Sequence, residues 1–152
     1  MIKQVDLIAA YEFQREELEA EILSVCRSGK YISGRKVRAF EEALAEYLGS
    51  RYVISCASGT DALFLSLLAL DLSPGDEVII PAFNFIASLE VVTLLKLQPV
   101  LIDVDPETFN LSPDKVKESI TSKTRAIIPV HMFGKPVDLH SLKTLADDHG
   151  IY

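Results

Sequence analysis

Apolar residues recur at helical spacing over the first fifty residues. Residues 12–28 have the pattern of an amphipathic helix, which Gly29 ends, and a second helical pattern stops at Gly49. The apolar faces carry Leu18, Ile22 and Val25 in the first helix and Val37, Phe40, Leu44, Tyr47 and Leu48 in the second. The pattern therefore predicts an N-terminal helical segment over residues 1–50.

From residue 51 the pattern changes to short, continuous apolar runs that alternate with helical stretches. The predicted strands are 52–56, 77–80, 99–104 and 125–130, and the predicted helices are 60–70, 86–97, 113–121 and 139–149. Because these strands are continuous apolar runs, we expect an α/β fold whose mostly parallel sheet has helices on both faces. Residues 151 and 152 stand where the next strand begins. We therefore interpret 51–152 as a partial α/β domain, truncated before its later strands.

Composition narrows the class of protein. The 152 residues suit one domain, and the mean hydropathy of +0.23 fits a sheet covered on both faces. A net charge of -7 argues against nucleic acid or an anionic membrane as partner. No apolar run reaches the length of a membrane span, and the acidic N-terminal region is unlike a signal peptide. We expect a cytoplasmic protein with no nucleic-acid and no membrane partner.

The two cysteines give no sign of a metal site or a disulfide framework. Cys26 and Cys56 lack metal-type spacing, and Cys56 falls in an apolar run, which predicts a buried small side chain. No metal site is expected from them.

The turn at residues 57–60 is the first candidate for ligand binding. Small residues there let a backbone approach a ligand, and a helix follows that Thr60 or Asp61 can cap. Backbone N–H groups at a helix amino end suit a phosphate. An ordinary strand-to-helix turn remains the alternative interpretation.

Further candidates follow the predicted strands, because ligands gather at the carboxyl ends of strands in open α/β sheets. Phe83 and Phe85 can stack on a flat heterocycle or pack in the core. Asp103 and Asp105 can form a carboxylate pair or a metal site, although Pro106 beside them favours a turn. His131 can face the cleft or serve as a hydrogen-bonded structural residue.

Several motifs are missing from the sequence. It has no GxGxxG, no GxxxxGK[ST] and no GxSxG. A phosphate turn with stacking aromatics but no dinucleotide motif points to a smaller phosphorylated ring, of which pyridoxal 5'-phosphate (PLP) is one.

Three segments carry a family resemblance. They read ISCASGTDAL, PGDEVIIPAFNFIAS and PVLIDVDPETFNLSPDKVKESITSKTRAIIPVHMFGKPVDL. Together with the YISG loop and the FEEALAEYLG helix, they resemble the DegT/DnrJ/EryC1/StrS family of PLP-dependent nucleotide-sugar aminotransferases. The resemblance covers essentially the whole chain and implies the N-terminal portion of a fold type I large domain.

The resemblance also implies roles for individual residues. Gly59 and Thr60 match the segment that holds the cofactor phosphate, and Phe85 matches the aromatic that stacks on the pyridine ring. Asn84 stands where threonine is usual in the family. Tyr31 lies in the segment that resembles the nucleotide-sugar contact loop.

The implied activity is transfer of an amino group, from glutamate, onto a keto-sugar linked to a nucleotide, in a homodimer and in polysaccharide biosynthesis. The family's cofactor-binding lysine is expected beyond Tyr152. Lys135, in a predicted turn, is a poor substitute, so the chain alone is expected to be inactive. The alternatives are a PLP-dependent sugar dehydratase of the same family and a non-catalytic truncated product.

Overall fold

The computed structural model describes residues 5–152. The chain divides into two compact units, residues 1–55 and 56–152. None of the helices within residues 5–152 combines the length and the apolar character that crossing a membrane requires.

The first unit consists of two helices joined by a loop. Helix α1 spans Leu7–Ser28 and helix α2 spans Arg35–Leu48. Helix α1 begins five residues earlier than the apolar spacing predicts, because the Asp6 carboxylate accepts the Ala9 N–H at 3.1 Å and so caps the helix. Gly29 ends this helix as predicted, with the left-handed φ of 64° that glycine adopts without strain.

The predicted strand at residues 52–56 is wrong, because within residues 5–152 this stretch is not part of a sheet. A strand needs a neighbour for its backbone, and the Ser55 N–H instead donates to the Glu41 carboxylate at 2.8 Å. Ile54 is 83% exposed. Cys56 is exposed as well, so its predicted burial is also wrong.

The second unit is a parallel α/β sandwich. Its helices are α3 (Gly59–Ala69), α4 (Ala87–Leu94), α5 (Pro113–Ser119) and α6 (Leu139–His149), and its strands are β1 (Glu77–Pro81), β2 (Gln98–Ile102) and β3 (Thr124–Ile127). The strands are parallel in the order β2-β1-β3, which confirms the predicted parallel sheet. Pro113 opens α5 as predicted, but the Ser112 side chain makes no capping hydrogen bond.

The core lies on both faces of β1. Val78 and Ile80 pack against α3 and α4, whereas Ile79 points to the other face and packs against α5 and α6. All three side chains are fully buried. This alternation explains the continuous apolar run, since each face of the strand meets a helical layer.

Tyr152 lies beside β3 in the position of a further strand. Its N–H donates to the Arg125 carbonyl at 2.9 Å, and its own carbonyl accepts the Ile127 N–H at 2.9 Å. This is the pattern of a parallel pair. The alternation of strands and helices along the sequence predicts that the next strand begins at this point, and the pairing agrees with that prediction.

Candidate functional site

The amino end of α3 is the predicted phosphate turn. Ser58 is the capping residue, since its hydroxyl accepts the Asp61 N–H at 3.1 Å. The prediction that Thr60 or Asp61 caps this helix is therefore wrong. A cap precedes the helix and reaches the N–H two or three residues ahead, and Thr60 and Asp61 already lie inside the first turn.

Gly59 leaves open space at this helix end. A methyl group built on Gly59 would meet no atom within 4 Å. The N–H groups of the first turn have no carbonyl partner inside their own helix, so those of Gly59 and Thr60 are suited to an anion. Open space beside bare backbone N–H groups is what a phosphate site at a helix amino end requires.

The loop after β1 carries Phe85, whose side chain is 76% exposed. It is not packed in the core, and its ring is accessible to a planar ligand. Beside it, the Asn84 amide nitrogen donates to the Pro81 carbonyl, while its buried Oδ1 has no hydrogen-bond partner in the described part of the chain. The carboxyl end of β1 is thus followed by an exposed aromatic ring and, beside it, a buried acceptor without a partner.

Three other phenylalanines form a surface cluster that joins the loops after β1, β2 and β3. Phe83 lies 5.6 Å from Phe109 and 6.4 Å from Phe133 between ring centroids, and the latter two rings are 6.0 Å apart. Phe83 is therefore neither a core residue nor a free stacking ring. Phe109 and Phe133 have left-handed φ values of 57° and 52°, which sequence reasoning missed because such values are rare for bulky residues.

Asn110 holds two of these loops together. It is 5% exposed, and its Nδ2 donates to the carbonyls of Lys135 and Pro136, each at 3.1 Å. Its Oδ1 accepts the Met132 N–H at 3.3 Å. A buried side chain with these three bonds fixes the loop after β3 relative to the loop after β2. The sequence gives little signal for it, because asparagine is ordinary in turns.

Of the two aspartates that the sequence singles out, Asp105 stabilises a turn. Its carboxylate accepts the N–H groups of Thr108 at 2.8 Å and Glu107 at 3.0 Å. The Thr108 bond in particular holds the pKa of Asp105 below its ordinary value. Over residues 5–152, no group of three or more acidic, histidine or cysteine side chains is placed to hold a metal ion.

His131 and Lys135 lie in the loop after β3, where the sequence predicts them. The His131 Nδ1 accepts the Val137 N–H at 3.2 Å, which gives this exposed ring a structural bond. An Nδ1 that accepts leaves the ring proton on Nε2. Lys135 is an exposed turn residue whose carbonyl is held by Asn110.

Tyr31 lies in the first unit, in the loop between α1 and α2. Its hydroxyl donates to the Cys26 carbonyl at 3.3 Å, and its side chain is 67% exposed. The loop lines an open concavity of about 740 Å³, which also includes Arg38. Tyr31 is thus accessible to a ligand.

Comparison with known protein families identifies the family to which the chain belongs. The model of the DegT/DnrJ/EryC1/StrS aminotransferase family matches residues 12–152. The chain belongs to this family. The resemblance drawn from the sequence motifs is thereby confirmed.

Two of the proteins to which the chain is similar are sugar aminotransferases. A UDP-2-acetamido-2-deoxy-3-oxo-D-glucuronate aminotransferase of Pseudomonas aeruginosa is 42% identical over 99% of this chain. A 3-oxo-glucose-6-phosphate:glutamate aminotransferase of Bacillus subtilis is 42% identical over 87% of it. The chain spans 42% and 30% of the lengths of these two relatives.

A solved member of the family has the same fold. The crystal structure of DesV from S. venezuelae superposes with a TM-score of 0.96 at 40% identity, covering 99% of this chain and 41% of that one. The parallel sheet with helices on both faces is therefore the fold type I architecture of the DegT/DnrJ/EryC1/StrS family, as the sequence predicts.

Proposed function

We propose that this protein is a PLP-dependent aminotransferase that acts on a nucleotide-linked keto-sugar, with glutamate as the amino donor. Members of its family bind PLP. The observation that carries the proposal is the bare amino end of α3, where Ser58 caps the helix and nothing lies within 4 Å of a methyl group built on Gly59.

In this proposal Gly59 and Thr60 hold the cofactor phosphate through backbone N–H groups and the Thr60 hydroxyl. Phe85 stacks on the pyridine ring, and Tyr31 contacts the sugar nucleotide. Bound PLP supplies an electron-withdrawing ring that stabilises negative charge on the substrate carbon. The contribution of these residues is to bind and orient.

The remaining assignments are part of the same proposal. Residues 1–50 form the N-terminal helical segment, and 51–152 contribute to the PLP-binding large domain. The full-length protein is a cytoplasmic homodimer in polysaccharide biosynthesis. The two free, exposed cysteines suit a reducing compartment, where thiols persist.

The first experiment measures PLP binding to the 152-residue chain by absorbance titration, for the unchanged chain and for Gly59→Ala. Because the added methyl group meets no protein atom, the fold is expected to tolerate it, whereas the phosphate loses its space. We expect weaker PLP binding at unchanged thermal stability. Equal PLP affinity of the two chains would contradict the assignment of Gly59.

A matched pair of phenylalanine variants tests the stacking ring. Phe85 and Phe13 are 76% and 88% exposed, so replacing either by alanine removes little packing. We expect Phe85→Ala to weaken PLP binding and Phe13→Ala to leave it unchanged. The same loss in both variants would show that Phe85 has no special role.

Borohydride reduction tests for covalent attachment. We expect no single lysine of this chain to be labelled stoichiometrically when it is reduced in the presence of PLP, because the candidate, Lys135, lies in an exposed turn rather than in a buried cofactor site. Mass spectrometry of the digested chain is the readout. Stoichiometric labelling of one lysine would overturn the expectation that the chain alone is inactive.

A further inference from the structure

Three aromatic side chains lie together at the edge of the sheet where its strands end. Phe83, Phe109 and Phe133, here called the phenylalanine cluster, follow β1, β2 and β3 and are all exposed, Phe133 by 80%. Their ring planes meet at 43°, 55° and 83°, so no ring of the cluster is stacked flat on another. The Phe133 ring therefore keeps an open face for a ligand.

The backbone holds two of these rings at a conformational cost. Phe109 and Phe133 have left-handed φ values of 57° and 52°, which bulky residues rarely adopt. Such values persist only where surrounding contacts enforce them, and they concentrate at ligand sites. Here the buried Asn110 amide makes three hydrogen bonds to the backbone of residues 132–136. The loop that carries Phe133 is thus fixed before a ligand binds, which lowers the entropy cost of binding.

His131 adds a hydrogen-bond donor to the same loop. Its Nδ1 accepts the Val137 N–H at 3.2 Å, so the neutral ring carries its proton on Nε2. Within residues 5–152 this Nε2 has no hydrogen-bond partner, and the residue is exposed. One neutral donor of fixed identity is therefore available two residues before Phe133.

An open aromatic face and a neutral donor together suit a sugar ring. A pyranose presents C–H hydrogens of partial positive charge, which are attracted to the negative face of an aromatic ring. Its hydroxyl and keto oxygens accept hydrogen bonds, as from His131. The three rings and the neutral imidazole carry no charge, so a phosphate group, which favours charged donors, suits them less well.

We propose that the phenylalanine cluster and His131 bind the sugar ring of the substrate. Phe133 packs against the C–H face of the sugar, and the His131 Nε2 donates to one of its oxygens. The assignment rests on the proposed function, which supplies a keto-sugar. Amino-group transfer requires the sugar carbon to lie beside the cofactor. Phe83 of the cluster is two residues before Phe85, the proposed cofactor-stacking ring, so the two proposed sites share the loop after β1.

The test is saturation-transfer NMR of the 152-residue chain with methyl β-D-glucopyranoside, a sugar without a phosphate group, at millimolar concentration. The aromatic protons of the protein are irradiated and the sugar protons are observed. We expect transfer to the ring C–H protons to exceed transfer to the O-methyl group, because the ring face lies against Phe133. Titration of the same signals gives the sugar affinity.

Matched variants separate the aromatic face from apolar bulk. Phe133→Leu keeps an apolar side chain but has no ring, and it should weaken glucoside binding about fivefold. Phe133→Tyr keeps the ring and should bind the glucoside as the unchanged chain does. Phe13→Leu replaces an exposed ring of α1 and should also leave the affinity unchanged.

A substitution at His131 separates its proposed ligand bond from its structural bond. His131→Asn keeps an acceptor close to the position of Nδ1 but has no donor at the position of Nε2. It should weaken glucoside binding about fivefold, while amide exchange at Val137 stays as slow as in the unchanged chain. Faster exchange at Val137 together with the weaker binding would leave His131 a structural role only and contradict its part in the proposal.

Three further results would overturn the proposal. The first is no saturation transfer to the glucoside. The second is equal glucoside affinity in Phe133→Leu and Phe13→Leu. The third is self-association in analytical ultracentrifugation that Phe133→Leu abolishes and the glucoside does not reduce, which would assign the cluster to contacts between copies of this chain.

PLP titration of the same samples separates this proposal from the proposed function. Glucoside binding that needs Phe133, in a chain that does not bind PLP, would support the sugar site and contradict the proposed cofactor role. PLP binding that needs Gly59, without glucoside binding, would do the reverse.

Discussion

The two units of the chain use their apolar residues differently. In residues 56–152 the central strand is buried on both faces, and Val78, Ile79 and Ile80 have no exposed surface. In residues 5–55 not one residue is buried, although α2 has a clear apolar face and Phe40 on it is 58% exposed. An amphipathic pattern thus predicts that a helix forms, whereas burial also requires a second surface against that face.

The largest expected effect tests this contrast in packing. Ile79→Ala should lower the free energy of unfolding of residues 56–152 by about 3–4 kcal/mol, because it leaves a cavity between β1, α5 and α6. Phe40→Ala, in the first unit, should change the free energy of unfolding by less than about 0.5 kcal/mol, since the ring is already exposed. Urea denaturation followed by circular dichroism measures both values. Similar losses in the two variants would remove the contrast between the units.

The next largest loss of stability should come from replacing a buried polar side chain. Asn110→Ala removes three hydrogen bonds and leaves the Met132 N–H without its acceptor, which we expect to cost about 2 kcal/mol. Amide exchange at Met132 should become faster than in the unchanged chain. Protection at Met132 that survives the substitution would show that the loop after β3 is held by other contacts, such as the phenylalanine cluster.

The helix caps allow a direct comparison of the two units. Ser58→Ala and Asp6→Ala each remove one capping bond, which is worth about 1 kcal/mol to a helix. We expect Ser58→Ala to lower the stability of the packed unit. Asp6→Ala should instead fray the start of α1, with little change in the main unfolding transition. Residue-specific amide exchange distinguishes the two, and a global loss from Asp6→Ala would contradict the expected difference.

The smallest effect concerns pH. Hydrogen bonds from Thr108 and Glu107 lower the pKa of Asp105 in the folded chain, so this group stabilises the fold at neutral pH. That contribution is lost as the pH falls through the folded pKa. Asp105→Asn keeps a hydrogen-bond acceptor but cannot ionise, so the acid unfolding of the variant chain should depend less on pH. Identical acid profiles for the two chains would show that Asp105 does not contribute.

The sequence predicts the packed unit well because its signals are local. Continuous apolar runs identify β1, β2 and β3, and Pro113 and Gly150 mark where α5 begins and α6 ends. The strand predicted at 52–56 fails because pairing depends on a partner strand, which a run of apolar residues does not specify. Among the proposed site residues, the motifs point to Gly59 and Phe85, whose cofactor roles stay predictions. The clamp at Asn110 and the left-handed Phe109 and Phe133 depend on tertiary contacts and have no local signature.

The central position of β1 also sets an order for folding. Glu77 pairs with Gln98, which is 21 residues further along the chain, and with Thr124, which is 47 residues further. Closing the longer loop costs about 0.7 kcal/mol more in chain entropy. We therefore expect β1 and β2 to associate first, with α4 between them in sequence, and β3 to join a preformed edge. Substitutions in α4 should then slow folding, whereas those in α6 should mainly speed unfolding.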